Sequence, residues 1–354
     1  MRRRSSTPTM KDIAARANVS VGTVSRVLNR YQDVNEQLRT RVETTVRKLG
    51  YHLNSRTRSA VHAKSRIIGL LLCNDFGLSS AQSLLLLGVE EECAKAGYYL
   101  LFARHQFPAD VAPDTLQIPS IIETPGLADC VIIVGTISQN VLAAFAHHGL
   151  KYVLLANHLI DSGESSIESI QVRYNDEGGC YDATRYLAQL GHTDIWYIGD
   201  ASRPWHKRRY KGYARAMSDL GLEPHAHTIA LSDDEFENGQ IAVSYILEQG
   251  WPVTAILAAS DELAFGAREG LRQHRREVPK DVSLVGFEHQ IGYSRGSNLT
   301  SISVDMVNVG RQLAKLAIAQ IESEKKQTGE VAVPTVFLKR STCRPLRKEE
   351  HMLL

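Results

Sequence analysis

Residues 10–29, Met-Lys-Asp-Ile-Ala-Ala-Arg-Ala-Asn-Val-Ser-Val-Gly-Thr-Val-Ser-Arg-Val-Leu-Asn, constrain this chain more than any other stretch. They read as two short helices meeting at a sharp turn. Met10, Ile13, Ala14 and Ala17 recur at helical spacing, and a second apolar set follows at Val24, Val27 and Leu28. Neither helix is long enough to bury a face alone, so the two must pack on each other. Ser20 stands where an N-cap belongs, its hydroxyl able to accept an orphan backbone N–H at the start of the second helix. Val21, Gly22, Thr23, Ser25, Arg26 and Asn29 stay off the apolar stripe. This outer face is small at its N-terminal end, which lets a backbone lie close to another surface. Arg26, one turn later, can offer paired donors to guanine O6 and N7 in a major groove. The geometry suits a helix-turn-helix that enters the groove N-terminus first. On spacing alone, a helical hairpin with a solvated polar face fits equally well.

Charge separates the two readings. Residues 1–66 hold fifteen Lys and Arg against four Asp and Glu, a surplus of eleven positive charges, so a whole-chain net charge of +2 leaves −9 on the remainder. A basic head on an acidic body is the footprint of a polyanion binder. At 354 residues, with 43% apolar and 23% charged side chains, the chain has room for two or three domains with real cores. No apolar stretch approaches the roughly 18–20 residues of a membrane helix, so no membrane partner is expected. Arg2-Arg3-Arg4 has no apolar segment behind it and does not read as a secretory signal. The five cysteines are scattered without Cys-x-x-Cys spacing, which points to reduced thiols and a cytoplasmic location.

Residues 1–9 read as a mobile basic tail, and residues 10–51 as a three-helix head whose last helix starts at Asn35 and carries Leu38, Val42, Val46 and Leu49 on one stripe. Residues 52–65 have few core-forming side chains and read as a hinge or linker. From Arg66 to about Arg340 apolar strands alternate with amphipathic helices, which implies two similar α/β lobes with mainly parallel sheets. Expected helices include 83–96, 177–190, 207–220, 239–248 and 261–274, with strands at 228–231 and about 333–339. Four prolines between Phe107 and Gly126 predict a shortened or displaced element there. Residues 341–354 form a tail too short for a stable coiled coil.

Lys11-Asp12-Ile13-Ala14 followed by Val19-Ser20-Val21-Gly22-Thr23-Val24-Ser25-Arg26-Val27-Leu28-Asn29 closely resembles the head of the lactose-repressor/galactose-repressor (LacI/GalR) family. The resemblance continues through Leu49-Gly50-Tyr51, Gly178-Gly179, Leu190-Gly191-His192, Gly212-Tyr213 and residues 278–287, and covers about Thr9 to Arg340. It implies an α/β chain: an all-α helix-turn-helix head plus a two-lobed, doubly wound parallel-sheet body of the periplasmic-binding-protein-like type. It also implies three chain crossings between the lobes, near residues 172–175, 301–304 and 325–333. The function implied is transcriptional regulation, usually repression, by a homodimer on double-stranded operator DNA, controlled by a small-molecule effector such as a sugar. Lys11, Ser20, Val21, Gly22, Thr23, Ser25, Arg26 and Asn29 are then the DNA-binding residues of the head. Asn54, Arg58, Ala60 and Val61 are those of a hinge that orders on DNA. Ala60 occupies the place of a leucine that wedges between base pairs, so a smaller kink is expected unless Val61 takes over.

Ligands in open α/β sheets sit beyond the carboxyl ends of the strands. Here those ends carry Asn74, Asp75 and Phe76, then Asn157, Trp205, Arg209, Ser260, Asp261 and Glu288. The resemblance assigns effector contact to Arg209 and Glu288, while Asn157, Ser260 and Glu288 depart from residues common in relatives. His225-x-His227 has the spacing of a metal pair but no Cys or third His nearby. No metal or cofactor is expected. No phosphate-cradling glycine loop, nucleophile elbow or His-Glu-x-x-His motif appears, so an enzyme is not expected. An exported solute-binding module is the rival reading, and the basic head argues against it.

Overall fold

The computed structural model describes residues 9–28, 31, 34–49, 65–73, 78–107, 116–119, 124, 126–147, 150–160, 169–228, 231–232, 234–287, 298–323 and 328–346. The chain divides into two compact units, Met1–Ser65 with Thr124–Leu127, and Arg66–Glu123 with Ala128–Leu354.

The head contains α1 (Met10–Ala17), α2 (Val21–Leu28) and α3 (Glu36–Leu49). Thr9 opens α1 with a reciprocal capping box: its hydroxyl accepts from Asp12 N, and its own N–H donates to Asp12 Oδ2 at 2.8 Å. Asn18 makes the turn at φ 50°, a left-handed conformation that asparagine tolerates. Ser20 caps α2, accepting from Thr23 N at 3.0 Å. Arg41 of α3 reaches the turn and donates to the Asn18 carbonyl at 2.9 Å. Ile13, Ala14, Ala17, Val24, Val27 and Val42 are buried together, as the spacing of the apolar residues requires.

The body has two six-stranded sheets. In lobe 1 the strands β1 (Ile67–Cys73), β2 (Tyr99–Arg104), β3 (Cys130–Gly135), β4 (Tyr152–Leu155), β5 (Ile170–Tyr174) and β11 (Gly329–Val333) are ordered β11-β5-β4-β3-β1-β2. All the pairings in this sheet are parallel. Its helices are α4 (Ser80–Lys95), α5 (Gln139–His147) and α10 (Met306–Glu322). In lobe 2 the strands β6 (Ile195–Gly199), β7 (His225–Thr228), β8 (Ala255–Ala258), β9 (Ser283–Phe287), β10 (Thr300–Val304) and β12 (Thr335–Leu338) are ordered β12-β10-β9-β8-β6-β7. Only β12 runs antiparallel to its neighbour. The helices of lobe 2 are α6 (Asp176–Gln189), α7 (Pro204–Asp219), α8 (Glu235–Glu248) and α9 (Asp261–Gln273). Central strands such as β1 and β3 are buried along nearly their whole length, which is why their sequences are unbroken apolar runs rather than alternating ones.

The chain passes between lobes three times, at Asn175 after β5, at Asp305 after β10, and at Pro334 between β11 and β12. The last strand expected from the sequence is thus two strands in two lobes. Pro334 has no N–H to give to a ladder, and the chain changes sheet there. Most of the proline-rich stretch from Phe107 to Gly126 lies outside the described residues.

Three further differences affect the site. Helix α7 begins at Pro204 rather than Lys207, because proline is pre-set for the first helical position. Helix α8 begins at Glu235, four residues early, capped by Asp234, which accepts from Phe236 N at 2.8 Å. Strand β7 is displaced to residues 225–228, where it pairs with Trp196–Gly199. Beyond Arg340 the chain does not leave the body at once. Thr342 exchanges bonds with Leu284, through Leu284 N to Thr342 O at 2.8 Å and Thr342 Oγ1 to Leu284 O at 2.7 Å. Leu346 N donates to Leu190 O at 2.8 Å.

Candidate functional site

On the head, Lys11, Ser20, Val21, Gly22 and Arg26 are exposed, and Thr23 and Ser25 are half-buried. Ser20 caps α2 and the others, apart from Lys11 on α1, place a face of small and polar residues with Arg26 on its first two turns. Gly22 is informative here. A Cβ built on it would meet only Ser20 Oγ, at 3.6 Å, an ordinary contact. Nothing among the described residues of the head therefore requires a glycine, although glycine inside a helix weakens it by about 0.5–1 kcal/mol relative to alanine.

In the body, the carboxyl ends of β4, β5, β6, β8 and β9 meet where the lobes face each other. Because α7 starts at Pro204, Trp205, Arg208 and Arg209 stand at i, i+3 and i+4 on one helical face. Trp205 lies against His158 of lobe 1, with ring centroids 4.7 Å apart. Arg209 is fully buried: Nη1 donates to Ala259 O at 2.5 Å, Nη2 to the Tyr174 hydroxyl at 3.4 Å, and the guanidinium lies 3.8 Å from the Phe287 ring centroid. It thereby links strand ends from both lobes.

The structure gives three of the residues expected at the effector a different occupation. Asn157 is fully buried and its amide is matched to the Tyr174 backbone, with Nδ2 donating to Tyr174 O and Oδ1 accepting from Tyr174 N, both at 2.9 Å. It aligns the crossing strand from a position with no exposure to solvent. The Ser260 hydroxyl caps α9, accepting from Leu263 N at 3.2 Å, and donates to Glu235. The Asp261 carboxylate is buried and accepts from Ser301 Oγ at 2.7 Å. All three side chains are thus engaged with protein groups at the strand ends, as the buried Arg209 also is. Asn29, Asn54, Arg58, Ala60, Val61, Asn74, Asp75, Phe76 and Glu288 lie outside the described residues.

Two groups escaped the sequence reading. Glu235 receives Arg203 and Ser260 directly, and His206 Nε2 lies 3.7 Å from its Oε1. Since His206 Nδ1 accepts from Asp200 N at 3.0 Å, the neutral ring carries its proton on Nε2, facing that carboxylate. Burial, then the charges of Arg209, Arg203 and His158, hold the His206 pKa well below its ordinary value, so the ring is neutral. The other group is Arg208 with Asp176. The early helix starts at Pro204 and Glu235 were the missing signals for both.

The His225–His227 pair has another role. His225 stacks on Trp196 at 5.2 Å and His227 on Tyr245 at 4.4 Å. Among the described residues no group of three or more His, Cys, Asp or Glu is placed to hold a metal ion. Burial pushes the thiols of Cys73, Cys93 and Cys130 up to about 12, so they pack as protonated small hydrophobes. No helix among the described residues is long and apolar enough to cross a membrane.

Comparison with known proteins agrees with both units. The family described as "Bacterial regulatory proteins, lacI family" matches residues 9–54, and the "Periplasmic binding protein-like domain" matches residues 184–343. The chain belongs to the LacI/GalR family. This LacI/GalR chain is 29% identical to the HTH-type transcriptional regulator RegA of Clostridium saccharobutylicum, over 87% of its length and 92% of the relative's. It is 27% identical to the HTH-type transcriptional repressor CytR of Escherichia coli (strain K12), over 96% of this chain and 97% of CytR. The lac repressor dimer bound to operator and the anti-inducer ONPF superposes with a TM-score of 0.79 at 21% identity, covering 96% of this chain and all of that one. The transcriptional regulator CelR in complex with cellobiose superposes at 0.66 with 22% identity, covering 95% of this chain and 99% of CelR. At such identities the superpositions establish the fold. For the LacI/GalR chain they support the helix-turn-helix head and the two-sheet body derived above.

Proposed function

We propose that this chain is a sequence-specific DNA-binding transcriptional repressor whose operator affinity is set by a small metabolite held between the two lobes of its body. The observation that carries this reading is the exposed face of α2: a glycine that no internal contact requires, followed one turn later by Arg26, on a head with eleven excess positive charges. Small residues admit the duplex backbone, Lys11 and its neighbours supply sequence-blind attraction to phosphate, and Arg26 reads a guanine edge. Its relatives are transcriptional regulators rather than enzymes.

Related proteins bind cellobiose or ribose, and a sugar or similar polar metabolite suits a cleft edged by Trp205, His158 and Arg209. Effector contact there changes the relative placement of the lobes, and the operator and the effector are thereby coupled. A homodimer matches a two-fold operator. The open edge strand β2, with Tyr99 77% exposed, and Leu87 of α4, 48% exposed, offer surface to a second copy.

The test is selection of duplexes from a genomic fragment library by the full chain, followed by thermal-shift screening of sugars and nucleosides. The reading expects one enriched palindromic motif and a ligand that both raises the melting temperature and changes affinity for that motif. No enriched motif, with a ligand still bound, would make the protein a solute-binding module instead.

A further inference from the structure

Arg208 bonds to groups of both lobes at once. Its guanidinium grips Asp176, with Nε to Oδ2 at 3.1 Å and Nη2 to Oδ2 at 2.9 Å, and Asp176 stands immediately after the first crossing between the lobes. The same Nη2 also donates to the backbone carbonyl of Asn157, which belongs to lobe 1. Nη1 is buried and has no hydrogen-bond acceptor among the described residues. One cation of lobe 2 is thus anchored beside the hinge, reaches into lobe 1 with one amino group and holds the other idle.

A buried donor without an acceptor is destabilising, so this arrangement is not the only one Arg208 is suited to. Relative movement of the lobes would release the Asn157 carbonyl and offer new acceptors to the guanidinium, while the Asp176 grip persists within lobe 2. Arg208 also directly precedes Arg209 and follows Trp205 by three residues on α7, so a displacement of that helix is felt at Asn157. The Asn157 amide in turn clamps the crossing strand at Tyr174.

We propose that Arg208 is a positioning residue that sets the placement of the two lobes: anchored on Asp176, it latches lobe 2 to the Asn157 carbonyl of lobe 1 and releases it when α7 moves. The proposal rests on the reading of the cleft as the effector site. Substitution by lysine separates the two jobs. Arg208→Lys keeps a cation for Asp176 but replaces the rigid Nε–Nη2 fork, which holds Asp176 and the Asn157 carbonyl together, by a single ammonium on a flexible stem.

The experiment uses the full chain with spin labels on Lys95→Cys in lobe 1 and Lys280→Cys in lobe 2, both exposed, and reads the interlobe distance by pulsed electron resonance. No small molecule is added. In the Arg208→Lys background the distance distribution moves or gains a second population, the melting temperature stays close to that of the parent, and affinity for the duplex selected by the parent changes about tenfold. Arg208→Leu, if it folds, shows the same displacement. A merely structural arginine would lower the melting temperature and leave the interlobe distance unchanged, and an unchanged distance in Arg208→Lys overturns the proposal. A parent protein that selects no duplex removes the regulator reading alone, because the distance measurement still decides the role of Arg208.

Discussion

Replacing Gly22 by alanine should make the head more stable and a worse DNA binder at once. Gly22 is the second residue of α2, its φ is negative, and the new methyl would meet only Ser20 Oγ at 3.6 Å. Alanine there lowers the entropy of the unfolded chain and raises helix propensity, together about 0.5–1 kcal/mol. With RT near 0.59 kcal/mol, opening of the head becomes about two- to fivefold rarer. Hydrogen exchange at the Val24 and Val27 amides, both in the head core, reads this directly. On the duplex the same methyl enters a space that the backbone of α2 was approaching closely, and overpacking of this kind costs about 1–3 kcal/mol, or roughly 5- to 150-fold in affinity. Fluorescence anisotropy with the selected duplex and a scrambled control, at one fixed salt concentration, measures it. Unchanged or tighter binding alongside slower exchange would refute the placement of this face against DNA. Faster exchange would refute the steric argument itself.

Arg26→Ala should cost about 1–3 kcal/mol of binding and relax discrimination at a single base pair, whereas equal weakening on every sequence would mean that Arg26 holds phosphate. Arg209→Ala removes a buried guanidinium stacked on Phe287 and hydrogen-bonded to Ala259 and Tyr174, so the ligand-induced change in duplex affinity should disappear and the body's melting temperature fall. A retained ligand response would exclude it from the effector site. Acid should weaken the body through its buried histidines. Burial first, then Arg209, Arg203 and His158, lowers the pKa of His206, and burial likewise lowers those of His192 and His227. The unfolded chain then binds protons that the folded one rejects, so stability is fully present above about pH 6.5 and declines below it, by up to about 1.4 kcal/mol per pH unit for the fully buried His206 and by less for the half-buried His227, which solvent screens. Urea denaturation of the body between pH 7.5 and 5.5 checks the sign, and His206→Gln should flatten the profile.

The head was legible in the sequence because its local signals agree: Ser20 caps where the spacing demands, Asn18 turns, and the apolar stripes of α1 and α2 face each other. The parallel sheets were legible for the same reason, since Ile67–Cys73 and Cys130–Gly135 are apolar throughout and buried along nearly their whole length. The cleft was less so. Asn157, Ser260 and Asp261 are polar residues at strand ends, which marks them for a ligand by position, yet their side chains are matched to Tyr174, Leu263, Glu235 and Ser301. The Ser260 cap on Leu263 is local, but nothing in one dimension reveals the pairing with Tyr174, Glu235 and Ser301, which are 17 to 40 residues away and belong to other elements. The helix starts at Pro204 and Glu235 were missed because the sequence reading followed apolar spacing and passed over the capping chemistry of Asp234 and the fixed φ of Pro204.

The central claim is that the amino-terminal helix pair reads duplex sequence. Titrating the full chain against its selected duplex, each single-base variant and an unrelated duplex, at two ionic strengths, tests it most directly. The account predicts an affinity at least about a thousandfold higher for the selected duplex than for the unrelated one, with losses of about 1–3 kcal/mol at individual positions and a salt dependence shared by all. Equal affinity for every duplex, falling only with salt, would contradict it.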